Sequence, residues 1–235
     1  MPAQLFLALD TTDVAQAAAQ AQATRGAVAG IKLGLEFFAA NGPAGVRATA
    51  AGHRLFLDLK LHDIPNTVAG AVRAVAPLGP ELLTVHAGGG GGMLRAAAAA
   101  AGEAAAKTGQ PRPRLVGVTV LTSLGEADLG PIGQRGPVAD QALRLATLAQ
   151  SSGLDGVVCS PHEIAALRAE CGAGFLLVVP GIRPAWAAAG DQKRVMTPGE
   201  AARLGADYLV IGRPITAAAD AADAARRVAA EIAAA

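Results

Sequence analysis

Short β-rich runs alternate with alanine-rich helical stretches along almost the whole chain, and that alternation most constrains the fold. A strand followed by a helix and another strand makes a right-handed crossover into a parallel sheet. Repeated units of this kind need a sheet covered by helices on both faces or closed on itself. The sequence predicts eight strands, at 5–9, 28–32, 54–60, 82–86, 115–120, 156–159, 175–179 and 207–211. Helical composition marks 13–24, 67–76, 92–107, 138–152, 162–170 and 198–204, and a last helix from about 215 to 233. Eight βα units in 235 residues fit an α/β fold of the (β/α)8 TIM-barrel type, which typically needs roughly 250. The competing doubly wound open sheet has fewer strands and a glycine-rich first turn. Here the first strand runs into Asp10-Thr11-Thr12-Asp13, without glycine. The longest loops, 122–137 and 180–197, both follow strands, and no linker divides the chain, so residues 1–235 are expected to form one catalytic barrel domain.

Composition narrows the partners. The chain is 52% apolar with a net charge of +1, enough for a large core and too balanced for a bulk electrostatic partner such as nucleic acid or an anionic membrane. No apolar run reaches the roughly 18–20 residues of a membrane span, and no basic-then-apolar leader opens the sequence. A soluble, cytoplasmic protein is the expectation. Cys159 and Cys171, the only cysteines, form no CxxC pair, and a disulfide framework is not expected. Cys159-Ser160-Pro161-His162 could supply half a zinc site, but no second half is evident, so no metal is expected.

The chemistry concentrates at strand ends. In Leu55-Phe56-Leu57-Asp58-Leu59-Lys60, alternation places Asp58 and Lys60 on one face and the leucines on the other. The leucines then face the helices, and the charges face the barrel interior or its mouth. Charges there need close partners, because an unpaired one costs several kcal/mol to desolvate. A barrel gathers the C-terminal ends of its strands on one rim, where active sites form. That rim would collect Asp10, Lys32, Asp58, Lys60 and His86, Thr122 and Ser123 after strand five, Gly181 and Arg183 after strand seven, and Gly212 and Arg213 after strand eight.

Gly212-Arg213-Pro214-Ile215 is the best phosphate candidate. Glycine permits close backbone approach, proline suits a first helical turn, and Arg213 adds a bidentate donor. The glycines at 88–92 do not complete a dinucleotide fingerprint, since its third glycine falls at Met93; they read as a flexible loop entering a helix. His86 reads equally as an acid–base group or a hydrogen-bonded structural residue. His53 and His62 have no evident role, and His62 is left outside the site. Asp63, ahead of Ile64-Pro65-Asn66-Thr67, reads by itself as a helix N-cap. The loop at 180–197, with Arg183, Trp186 and Gln192, could form a lid over a ligand or simply a surface loop.

Taken together, these residues resemble a known family. Asp58-x-Lys60-x-x-Asp63-Ile-Pro-Asn-Thr67 is similar to the signature of orotidine 5'-phosphate decarboxylases. In that family's order follow or precede Leu7-Ala8-Leu9-Asp10, Ile31-Lys32-Leu33-Gly34, Val118-Thr119-Val120-Leu121-Thr122-Ser123, Pro180-Gly181-Ile182-Arg183-Pro184, the segment at 190–198, and Ile211-Gly212-Arg213-Pro214-Ile215. The DxKxxD core is shared with related barrels acting on sugar phosphates; the extension and the later motifs are more specific. The resemblance implies a homodimeric barrel converting orotidine 5'-phosphate to UMP, with no metal or organic cofactor. It implies that Lys60 is the proton donor within a network of Lys32, Asp58, Lys60 and Asp63, and that Asp63 and Thr67 reach the neighbouring subunit's site. Asp10 and Lys32 would bind ribose hydroxyls, and Thr122 and Ser123 would lie near the pyrimidine. Arg183, Gln192, Gly212 and Arg213 would hold the phosphate or close over it. Two alternatives remain. A metal-dependent sugar-phosphate decarboxylase or aldolase of similar architecture would be expected to place an acidic ligand where Lys32 stands. A non-catalytic phosphate-binding barrel would not need Asp58, Lys60 and Asp63 together.

Overall fold

The structure, a computed structural model, describes residues 2–187 and 196–235. Its strands are β1 Gln4–Leu9, β2 Gly30–Gly34, β3 Leu55–Leu61, β4 Leu82–His86, β5 Arg114–Val118, β6 Gly156–Val158, β7 Leu176–Val179 and β8 Tyr208–Ile211. All pair in parallel, each with its sequence neighbour, and β1 pairs with β8 to close the barrel. The helices are α1 Val14–Ala23, α2 Leu35–Ala50, α3 Pro65–Val75, α4 Gly90–Thr108, α5 Glu126–Leu129, α6 Val138–Ser151, α7 Ile164–Cys171, α8 Pro198–Arg203, α9 Arg213–Thr216 and α10 Ala221–Ala233. The expected (β/α)8 barrel is therefore the fold.

Strand alternation sorts the core into two shells. Leu5, Leu7, Leu9, Leu55, Leu57 and Leu59 pack outward with the apolar faces of the helices, as the period of two requires. Phe6, Ala8, Phe56, Leu82, Val116, Val178, Tyr208 and Val210 fill the barrel interior. Large rings occupy its lower layers: Phe6 meets Tyr208 edge-on at 5.5 Å and Phe56 at 6.4 Å between centroids. Beneath them, the Tyr208 hydroxyl donates to Glu81 Oε1 (3.0 Å) and accepts from Arg114 Nη1 (2.9 Å). Glu81 also pairs with Arg54, which holds its carboxyl below the usual range against the opposing effect of burial. This polar plug closes the N-terminal end, so the open end of the barrel is the one that carries the C-terminal strand ends.

Local sequence accounts for some of the element boundaries. The Asp13 side chain accepts from the Gln16 N–H at 3.0 Å and starts α1. The Thr197 and Glu200 side chains cap α8 reciprocally. Within α2, Gly42 takes φ 57° ahead of Pro43, and the helix kinks there. The single C-terminal helix expected at 215–233 is instead two, α9 and α10. Asp220 caps the second by accepting from the Asp223 N–H at 2.9 Å, and so starts a new helix rather than continuing the old one. The loop at 122–137 is partly structured, since it contains α5 and a following 3-10 turn at Gly130–Ile132.

Candidate active site

At the C-terminal end of the barrel, β3 departs from regular pairing. Leu57 pairs with Leu83, and the next pair is Leu61 with Val85. Asp58, Leu59 and Lys60 therefore stand opposite a single β4 residue, Thr84. Lys60 absorbs the extra length with φ 50°, the only positive φ among the described non-glycine residues. That state costs about 1–3 kcal/mol for a residue with a side chain, and such strain clusters at functional sites. Bulges of this kind re-aim side chains.

The result is a chain of charges. Lys60 Nζ donates to both oxygens of Asp58 at 2.9 Å. Lys32 Nζ lies 3.8 Å from Asp58 Oδ2 and donates to Asp10 Oδ1 at 3.1 Å. The Thr84 hydroxyl donates to Asp58 Oδ1 at 3.0 Å, and accepts from the Lys60 N–H at 2.8 Å. The Asp58 side chain is only 13% exposed, so these donors replace most of its water. Each member comes from a different strand end except Asp58 and Lys60, which the β3 bulge holds together.

These groups open onto a cavity of about 280 Å³. Asp10, Lys32, Asp58 and Lys60 line one part, and Thr122, Gly181, Arg183, Gly212 and Arg213 line others, with Ala8, Phe56, Val118 and Val158 contributing apolar wall. Asp10 is the most open of the charged chain, its side chain 61% exposed. Arg183 is buried in the loop after β7. Gly212 stands at a close approach: a Cβ there would lie 3.3 Å from both Ala8 Cβ and Asp10 Oδ2, tighter than ordinary van der Waals contact. The bridge between Ile182 and Met196 ties the two described ends of the 180–197 loop together.

Some expected residues, among those described, do not line this cavity. Ser123 is exposed and does not line the cavity, whereas its neighbour Thr122 does. Asp63 and Thr67 are exposed and outside it. Asp63 is not the N-cap of α3; that position is Ile64, and Asp63 Oδ1 instead accepts the Ile64 N–H at 2.6 Å. Pro65 follows at the first helical position, as expected. Gln192, with the rest of 188–195, lies outside the described residues. His86 has a structural bond: its Nδ1 accepts from the Gly88 N–H at 3.2 Å, and its ring stacks on His62 at 5.0 Å. Burial, then His62 and Lys60, push its pKa below the usual histidine value. Neither ring lines the cavity. His62 is two residues past Lys60 and would share its face in a regular strand; the left-handed turn at Lys60 and the strand end at Leu61 remove it. The glycines that follow His86 form a 3-10 turn, Ala87–Gly89, and the first turn of α4. Trp186 packs against Arg227 of α10, whose guanidinium lies 4.1 Å from the ring centroid.

Thr84 and the apolar wall are the site residues that sequence reasoning missed. The one available signal for Thr84 was a hydroxyl at an inward-facing position of β4, between the apolar Leu83 and Val85.

Charged groups at the C-terminal mouth of a closed parallel barrel, above a packed interior, define a (β/α)8-barrel enzyme. The model of the orotidine 5'-phosphate decarboxylase / HUMPS family matches residues 3–228. The chain is 58% identical to orotidine 5'-phosphate decarboxylase of Paramagnetospirillum magneticum, over 97% of each chain. It is 57% identical to the enzyme of the same name from Rhodospirillum rubrum, over 97% of this chain and 93% of that one. Among solved structures, orotidine 5'-phosphate decarboxylase from Lactobacillus acidophilus superposes with a TM-score of 0.86 at 38% identity, covering 98% of this chain and 99% of the other. The chain belongs to the orotidine 5'-phosphate decarboxylase / HUMPS family.

Proposed function

We propose that this barrel decarboxylates orotidine 5'-phosphate to UMP, in pyrimidine nucleotide synthesis. The observation that carries this reading, beside the family, is the Lys60 ammonium held by both oxygens of Asp58 in the charged cavity. Loss of CO2 from C6 of the pyrimidine leaves the bonding electron pair on carbon, with no adjacent electron sink. Lys60 stabilises that charge by proximity and then delivers its proton to C6. Asp58 orients the ammonium before substrate arrives, and Lys32 and Asp10 extend the array toward the ribose hydroxyls. Thr122, which lines the cavity, is assigned to the pyrimidine end. Arg183, Gln192, Gly212 and Arg213 are assigned to the phosphate, whose binding energy helps to organise the site.

The active unit is proposed to be a cytoplasmic homodimer in which Asp63 and Thr67 serve the partner's cavity. Their exposure outside their own cavity, beside Ile64 at 66% exposed, supports this. Lys32 disfavours the metal-dependent sugar-phosphate reading, because an ammonium ion-paired with Asp10 and Asp58 occupies the position expected for an acidic ligand. The test is to incubate the protein with orotidine 5'-phosphate in excess chelator and follow loss of orotate absorbance with formation of UMP. Turnover is expected; its absence in folded protein refutes the function, and its loss only on chelation favours the metal-dependent alternative.

A further inference from the structure

We propose that Thr84 is a positioning residue for the decarboxylation, a role that rests on the function proposed above: its hydroxyl bridges the Lys60 backbone to the Asp58 carboxylate and so holds the ammonium in place. Thr84 is completely buried on β4, opposite the three-residue excursion of β3. That excursion removes the Lys60 N–H from the regular ladder, and a buried amide needs an acceptor. Thr84 Oγ1 supplies it at 2.8 Å. A hydroxyl has one proton, and the amide can only donate, so the Thr84 proton is committed to Asp58 Oδ1, 3.0 Å away. The polarity of the relay is thus fixed: amide to hydroxyl, hydroxyl to carboxylate. Asp58 in turn accepts the Lys60 ammonium on both oxygens. One side chain therefore secures both ends of Lys60: its left-handed backbone directly, and its ammonium through Asp58. No other described residue bonds to both the Lys60 backbone and the Asp58 side chain.

Thr84→Val keeps the shape and removes both bonds; Thr84→Ser keeps the hydroxyl. With wild-type protein that turns over orotidine 5'-phosphate, Thr84→Val is expected to lower kcat by about 10- to 100-fold, the scale of a lost hydrogen bond to a charged group. KM should stay within about threefold, because the contact aids the reacting group rather than phosphate binding. Thr84→Ser should recover most of kcat. Amide hydrogen exchange gives a readout independent of turnover: the Lys60 amide should exchange at least about tenfold faster in Thr84→Val than in wild type, and remain protected in Thr84→Ser. An unchanged kcat in Thr84→Val, a serine variant as impaired as the valine one, or a loss confined to KM overturns the positioning role. Equal Lys60 exchange in wild type and Thr84→Val overturns the bridge whatever the turnover. Wild-type protein without turnover sinks the proposed function instead, and the exchange comparison still decides whether the bridge exists.

Discussion

Glu163 should make the barrel less stable as pH rises through neutrality, and Glu163→Gln should abolish that effect. Glu163 is 6% exposed, in the turn after β6. It has one charge-stabilising contact among those described, the Ser160 N–H at 2.8 Å. Burial outweighs that bond and raises its pKa to about 7, from 4.5. A raised carboxyl pKa means that the folded state holds a proton which the unfolded chain releases. The stabilising contribution is therefore complete below about 4.5 and is lost as pH rises through about 7. Ionising the carboxyl in place costs about 3 kcal/mol, the free energy that corresponds to that displacement. Glutamine keeps an oxygen for the Ser160 N–H and carries no charge. Urea unfolding of both proteins at pH 4, 6 and 8 isolates the effect, because every other titrating group cancels in the difference. The variant should gain on wild type progressively, by up to about 3 kcal/mol at pH 8 relative to pH 4. Parallel pH profiles for the two proteins would refute the reasoning.

Other expectations separate the two ends of the barrel. Tyr208→Phe removes a donor from Glu81 and an acceptor from Arg114, so it should lower stability by about 1–2 kcal/mol and leave kcat unchanged, measured by urea unfolding and steady-state assay. Gly212→Ala forces a methyl group against Ala8 and Asp10 and should raise KM at least about fivefold with the fold retained, as read by circular dichroism beside the kinetics. Mixing inactive Lys60→Ala and Asp63→Ala proteins should restore turnover through hybrids that contain one intact site; no recovery despite demonstrated subunit exchange would refute a shared site.

The barrel was legible because its determinants are local. Period-two apolar runs and alanine-rich helices place all eight strands to within about two residues. What escaped depends on partners distant in sequence. The β3 excursion exists only in the pairing with β4, so regular alternation could put Asp58 and Lys60 on one face but could not foresee the left-handed backbone at Lys60 or the bridge from Thr84. The division between α9 and α10 turns on Asp220, whose capping role the surrounding alanines obscure. Asp63 misled in the opposite direction: proline in the next turn suggested a cap, yet the helix begins after Ile64 and leaves Asp63 exposed. Motif order identified the cavity's charged groups, but it could not separate Thr122, which lines the cavity, from Ser123, which does not.

The most direct test of Lys60 as the group that stabilises and protonates the C6 carbanion is the kcat of Lys60→Ala on orotidine 5'-phosphate, measured on protein whose circular dichroism matches wild type. Removing both the fixed charge and the acid should lower kcat by at least about a thousandfold. A folded Lys60→Ala barrel with near-normal turnover would contradict that role.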